Sequence, residues 1–268
     1  MSKKLGFIGN GNMGRAMMGG IINADVFAPE NIIVSDIHEE GLKAVKEEYG
    51  VNISLNNKDV AKFSDIIILS VKPNLYPLII SGIKDDVKED VIIVTIAAGR
   101  KIEDTEKEFR RKIKVVRVMP NTPALVGEGM SAICPSEAVT REELKEIIDI
   151  FESFGKAEVV AENLMDAVTS VSGSSPAYVY IFIEAMADAA VLDGIPRDKA
   201  YTMAAQAVLG SAKMVLETGM HPGALKDMVS SPGGTTIEAV ATLEEKGFRN
   251  AVISAMRACT KKSKEMSK

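Results

Sequence analysis

Residues 6–22 read GFIGNGNMGRAMMGGII, and the spacing of their glycines decides the fold. The loop Gly9-Asn10-Gly11-Asn12-Met13-Gly14 follows a short apolar run and opens a segment of helical periodicity. In such a strand-turn-helix unit Gly9 makes the tight turn, Gly11 lets the backbone approach a pyrophosphate, and Gly14 lets the helix pack closely on the strand. The positive end of the helix then faces the phosphates. A strand, a helix and a second strand occur here in the required order, so the loop predicts dinucleotide binding rather than a purely structural turn.

Outward from this loop the same rhythm continues to about residue 160. LGFIG, NIIVSD, DIIILSV, VIIVTIA and IKVVRVM are short β-branched runs separated by polar or amphipathic segments of helical length. Runs of this kind belong to strands covered on both faces. Residues 1–162 are therefore expected to form a doubly wound α/β (Rossmann) domain around a parallel sheet. SAICP and AEVVA add two strands, with the helix TREELKEIIDIFESFG between them, opened by Thr140 and Glu143 at capping-box spacing.

The second run ends at Ser35-Asp36, where an acidic residue receives the ribose hydroxyls of NAD. The following SDIHEE holds no arginine for the extra phosphate of NADP, yet Ser35 and Lys43 are candidates to serve one, so the preference stays open. The third and fourth runs end in Ser70-Val71-Lys72-Pro73 and Ile96-Ala97-Ala98-Gly99, small residues that admit a flat ring at the carboxyl ends of strands. Lys72, before a proline, is read as oriented by its backbone rather than as a proton donor.

Strand signals stop near residue 162. Residues 163–268 are rich in alanine and methionine with helical periodicity, punctuated by Gly194-Ile195-Pro196, by Gly219 with Pro222-Gly223, and by Pro232-Gly233-Gly234. A second, all-helical domain is expected. Its segment AYVYIFIEAMADAAVL is apolar over more than one helical stripe and interrupted only by Glu184 and Asp188. A helix so apolar needs partners on several sides, which favours an obligate oligomer with such helices meeting across a dimer axis. The tail KKSKEMSK is expected to fray.

Composition narrows the class further. Hydrophobic residues make up 46% and charged residues 26% of the 268, enough for a substantial core. The formal net charge of -5 provides no basic field for nucleic acid. Cys134 and Cys259 are far apart and lack metal-ligand spacing, so neither a disulfide framework nor a metal site is expected and a cytoplasmic setting fits. The N-terminus lacks a signal-peptide core, and no apolar run approaches about twenty residues, so no membrane association is expected.

Three stretches go beyond class. RVMPNTPALVGEGMSAI (Arg117–Ile133), VSGSSPAYVYIFIEAMADAAVLDGIPRDKA (Val171–Ala200) and HPGALKDMVSSPGGTTIEAVATLEEKGFR (His221–Arg249), in this order behind the glycine loop, resemble the pyrroline-5-carboxylate reductase family along the whole chain. The resemblance implies hydride transfer from NAD(P)H to the C=N bond of the cyclic imine 1-pyrroline-5-carboxylate, giving L-proline in the last step of proline biosynthesis. It also implies a Rossmann domain followed by a helical dimerisation domain, with dimers often assembling into decamers. Carried onto this chain, the cofactor-binding residues are Ile8, Gly9, Asn10, Gly11, Asn12 and Met13 with Gly14, Ser35, Asp36, Asn57, Ser70, Val71, Lys72, Pro73, Ala97 and Ala98. Substrate contacts fall on Thr235 and Thr236. Some members have an asparagine after LKD that reaches the cofactor, and Met228 cannot make that hydrogen bond.

The chemistry asks chiefly for positioning, because a protonated imine is already electrophilic. His38 and His221 are accordingly read as surface or capping residues, and Ser174 and Ser175 have no base at a recognisable spacing. The substrate carboxylate needs an anion site, which SSPGGTTIE (Ser230–Glu238) can form. Gly233 and Gly234 expose backbone N–H groups, Thr235 and Glu238 have capping-box spacing, and Thr236 is the candidate catalytic residue, its hydroxyl meeting the ring nitrogen. A reductase of the same two-domain plan acting on another substrate, or a module that senses NAD(P)H without turnover, are the alternatives at this point.

Overall fold

The computed structural model describes residues 3–266. By packing, the chain divides into two compact units: one holds the residues up to Ser174 together with those from Cys259 onward, and the other is Ser175–Ala258. The last strand ends at Val159, and the first segment of this division runs on to Ser174.

The first unit is built on one eight-stranded sheet of order β3-β2-β1-β4-β5-β6-β7-β8. Its strands are β1 (Leu5–Ile8), β2 (Ile32–Ser35), β3 (Asn52–Ser54), β4 (Ile66–Leu69), β5 (Ile92–Thr95), β6 (Lys114–Met119), β7 (Gly129–Pro135) and β8 (Gly155–Val159). All neighbours pair parallel except β6 and β7, where Val118 opposes Ile133 in an antiparallel ladder. The reversal follows from chain length: only Pro120–Glu128 joins these strands, too little for a helical crossover. The three-residue edge strand β3 has no apolar run of its own and was not expected from the sequence.

Side chains alternate between the two faces, as a period of two requires. Leu5, Phe7, Ile32, Val34, Ile66, Ile68, Ile92 and Val94 face a core with Met17 and Ile21 of α1 (Asn12–Asn23), Leu42 and Val45 of α2 (Glu39–Tyr49), and Ile147 and Phe151 of α6 (Arg141–Glu152). Ile8, Ile33, Ile67, Leu69 and Ile93 face the other, with Val60 of α3 (Asn57–Phe63), Ile80 of α4 (Tyr76–Ile83) and Phe109 of α5 (Ile102–Phe109). Two covered faces explain why the strands read as unbroken apolar runs. The capping box of α6 forms as expected: Glu143 N–H donates to Thr140 Oγ1 (3.2 Å), and Thr140 N–H to Glu143 Oε2 (2.9 Å).

After β8, α7 (Met165–Val168) runs through a π-helical turn, Thr169–Gly173, toward the second unit. The C-terminal tail does not fray as far as it is described. The helix α12 (Phe248–Met266) continues to Met266, and its last turns are tied to the first unit: Ser263 Oγ donates to Asp166 Oδ1 (2.7 Å) and Thr260 Oγ1 to Ser170 Oγ (3.0 Å). These partly buried polar pairs hold a lysine-rich sequence that was expected to fray. Ser267 and Lys268 lie outside the described residues.

The second unit contains α8 (Ser175–Leu192), α9 (Arg197–Thr218), α10 (Pro222–Met228), α11 (Thr235–Glu245) and the start of α12. It has little interior of its own. Ala187, Ala200 and Ala204 are its buried apolar residues, whereas Tyr180, Ile181, Met203, Leu216 and Ile253 are each more than half exposed. Together with the preceding turns, α8 forms a helical stretch, Glu162–Leu192, that by length and composition alone is long and apolar enough to cross a membrane. No single apolar run marks this length in the sequence; the chain joins α7 to α8 through the π turn Thr169–Gly173.

The Glu143 carboxylate also accepts from Lys114 Nζ at 2.7 Å. Partial burial acts to raise its pKa, but the Lys114 ammonium and the Thr140 amide outweigh it and leave the group below its ordinary 4.5. Because the folded value is the depressed one, this stabilisation is present above pH 4.5 and is lost as pH falls through the folded pKa. Urea unfolding followed from about pH 7 to pH 3 should therefore show a shallower acid decline for Glu143→Gln than for the parent. Parallel curves would overturn the assignment.

Candidate functional site

The carboxyl ends of β1, β2, β4 and β5 bring the sequence-predicted cofactor residues of the first unit together, and the strand order reverses between β1 and β4. Gly9 has φ +104, and its N–H donates to Ser35 O at 2.8 Å. A side chain there would lie 2.5 Å from Ser70 O. At Gly14 a Cβ would lie 2.8 Å from Gly9 O and 3.0 Å from Ser70 Oγ. Gly11 differs, for nothing lies within 4 Å of where its Cβ would be. It is the N-cap of α1, with no side-chain cap and no acidic residue in the first turn, so the positive helix end meets open space. Space above Gly11 and uncapped amides beside it fit a dinucleotide pyrophosphate. Asn12 and Met13 begin that first turn.

Around this turn the polar side chains brace one another. Ser70 Oγ donates to Gly9 O (2.6 Å) and approaches Ile8 O (3.2 Å). Asp36 accepts from Asn10 N–H at Oδ2 (2.7 Å) and from His38 N–H at Oδ1 (3.0 Å). Asn10 Nδ2 donates to Gly41 O at 2.9 Å. Ser35 is fully buried, and its hydroxyl donates to Asn57 Oδ1 at 2.8 Å, so the Asn57 amide keeps its own donors. Lys72 is extended (φ -63, ψ 145) and precedes a 3-10 turn, Pro73–Leu75, as a residue before proline should. Val71 packs into the core of the second face, and Ala97 is buried beside half-buried Ala98.

Sequence reasoning missed the group that joins β4 to β5. Tyr76 is fully buried; its hydroxyl donates to Leu69 O (2.7 Å) and accepts from Ile96 N–H (3.3 Å). Burial raises its pKa well above the usual phenol range, so it remains a neutral donor. The signal was a lone tyrosine at the head of YPLIISGI, just after a strand end. Asn121 was quoted in MPNTP without a role. It is buried, donates from Nδ2 to Ser172 O (3.0 Å) and accepts from Met130 N–H (2.8 Å), which fixes the start of β7 to the π turn.

The second loop lies in the helical unit. Gly233 has φ +66, and Gly234 N–H donates to Ser231 O at 3.1 Å. The capping box expected from Thr235 and Glu238 does not form. Gly234, extended at φ -83 and ψ 171, is itself the N-cap of α11, so Thr235 is already the first helical residue and Thr236 the second. No side chain caps this end. His221 is the N-cap of α10, its Nδ1 accepting from Gly223 N–H at 3.0 Å, as a capping residue would. Met228 ends α10 and is exposed.

Comparison with known proteins places this geometry. Residues 162–266 match the family model for pyrroline-5-carboxylate reductase dimerisation, and residues 4–99 that for coenzyme F420-dependent NADP oxidoreductase. The chain is 52% identical over 268 residues to the pyrroline-5-carboxylate reductase of Escherichia coli (strain K12), covering 100% of both. Among solved structures, a pyrroline-5-carboxylate reductase from Coxiella burnetii matches with a TM-score of 0.94 at 32% identity, covering 100% of both chains. The Plasmodium falciparum pyrroline carboxylate reductase with NADP bound matches with a TM-score of 0.90 at 35% identity, covering 100% of this chain and 99% of that one. Likeness of this size from end to end makes the chain a member of the pyrroline-5-carboxylate reductase family.

Proposed function

We propose that this protein reduces the C=N bond of 1-pyrroline-5-carboxylate with NAD(P)H to give L-proline. The observation that carries the reading is the open, uncapped helix start at Gly11, in a chain that resembles these reductases over its full length. When bound, NAD(P)H supplies a hydride to the imine carbon, while the ring nitrogen takes a proton. The chain's own work is to hold, orient and donate.

In this reading the amides of the first turn of α1, with Ile8–Gly14, hold the pyrophosphate, while Ser35, Asp36 and Asn57 take the adenosine end. Ser70–Pro73 with Ala97 and Ala98 line the nicotinamide. Gly233, Gly234 and Thr235 offer the uncapped N-terminus of α11 to the substrate carboxylate, a smaller anion served by the same physics. Thr236 places its hydroxyl on the imine nitrogen. Residues 1–162 serve as the dinucleotide-binding domain and residues 163–268 as the dimerisation and substrate-binding domain. The exposed apolar surface of α8 is covered by a second copy of the chain rather than by lipid, since that stretch falls within the matched dimerisation region. A cytoplasmic homodimer, assembling further into decamers, completes the proposal.

Two variants test it. Gly11→Ala meets no protein atom, so its melting temperature should match the parent while NAD(P)H binding, followed by fluorescence titration, weakens by about tenfold or more. Unchanged affinity would remove the loop from the cofactor site. Thr236→Ala deletes one hydrogen bond to a reacting group and should lower kcat/KM by about tenfold to a few hundredfold. Parent-like kinetics at 340 nm with 1-pyrroline-5-carboxylate would refute the role of the hydroxyl.

A further inference from the structure

Resting on the reductase reading above, we propose that the turn after β2 selects NADH over NADPH, with Asp36 as the discriminating residue. NADPH differs from NADH by a phosphate on the adenosine ribose, which carries roughly two negative charges and only hydrogen-bond acceptors. Recognition of it needs a donor or a cation at the end of β2.

The two side chains that offered one in the sequence both have partners already. Ser35 is fully buried and spends its hydroxyl proton on Asn57 Oδ1 at 2.8 Å. Lys43 Nζ sits 2.8 Å from Glu39 Oε1, one helical turn back, so the lysine of this turn has a carboxylate beside it, although both side chains are exposed. Among the formally charged side chains Asp36, Glu39 and Glu40 stand against Lys43 alone over residues 36–43, and the donors left beside them are the Asn57 amide and the His38 ring. Glu39 and Glu40 also occupy the first turn of α2, where they oppose the attraction of that helix end for a phosphate. Ile37, 86% exposed, stands next to Asp36 without a polar atom in its side chain.

Asp36 itself cannot swing away. Its two oxygens each accept a backbone N–H, from Asn10 at 2.7 Å and His38 at 3.0 Å, and Asn10 lies inside the glycine loop between Gly9 and Gly11. Turning the carboxylate aside would break both bonds. Each oxygen retains a second lone pair, which suits the two hydroxyls of an unmodified ribose and repels a phosphate.

Equilibrium fluorescence titration of the full-length protein with NADH and with NADPH, without substrate, tests this. NADH should bind at least about tenfold more tightly at low ionic strength, and the gap should narrow as salt is added, because like-charge repulsion is screened. The double substitution Asp36→Ser/Ile37→Arg should tighten NADPH binding by about tenfold and weaken NADH binding. The parent's own ratio decides the matter even if that variant folds poorly. Binding of both dinucleotides with NADPH equal or tighter would overturn the preference and leave the reductase reading standing. Binding of neither would overturn both.

Discussion

Three backbone segments converge on Gly9, and the rest of the first unit is arranged around that convergence. The end of β1, the end of β4 and the first turn of α1 approach so closely that a single methyl group at Gly9 or Gly14 would overlap a carbonyl oxygen. Ser70 turns this crowding into a joint, its hydroxyl proton given to the Gly9 carbonyl at 2.6 Å. Because β1 and β4 are neighbours on opposite sides of the strand-order reversal, the joint sits at the mouth of the crevice that opens there. The side-chain-free face of Gly11 is what the crowding leaves open. The candidate site is thus a by-product of how tightly the strands and helix are drawn together beside it.

Much of the sheet could be read from the sequence because burial on both faces leaves an unmistakable mark. IIVS, IIIL and IIVT are apolar but for a closing Ser35 or Thr95, and these four-residue strands are buried throughout. Direction and edges leave no such mark. Apolar composition is the same in a parallel and an antiparallel strand, so only the length of the connection before β7 betrays its reversal, and β3 is too short and polar to announce itself. At the site, the crowding at Gly9 and Gly14 was legible because each is a steric requirement. The bracing of Asp36 by Asn10 and His38, and of Ser35 by Asn57, was not, since those partners are brought together by tertiary packing across unrelated stretches. The cap of α11 was misplaced for a related reason: threonine and glutamate at the right spacing invite a capping box, but the extended conformation of Gly234 starts the helix one residue earlier than they need.

The two units spend their apolar residues differently. In the first they fill two cores, one on each face of the sheet. In the second, alanine is nearly the only residue withdrawn from water inside the chain, while larger side chains remain outside. Helices that expose so much apolar surface are poorly stable alone. Such a unit is half of a core, and it gains its interior only by association.

The ties at the end of α12 give the chain an unusual order of completion. Asp166, Ser170 and Ser174, laid down before the helical unit begins, meet Ser263, Thr260 and Cys259 only after that unit has been made. The helical unit is therefore an insertion within the first rather than an appendage to it. During synthesis, when domains ordinarily fold in sequence from the N-terminus, the sheet can assemble early, but its closing strap arrives only after the helical unit. The first unit is begun before the helical unit and closed after it.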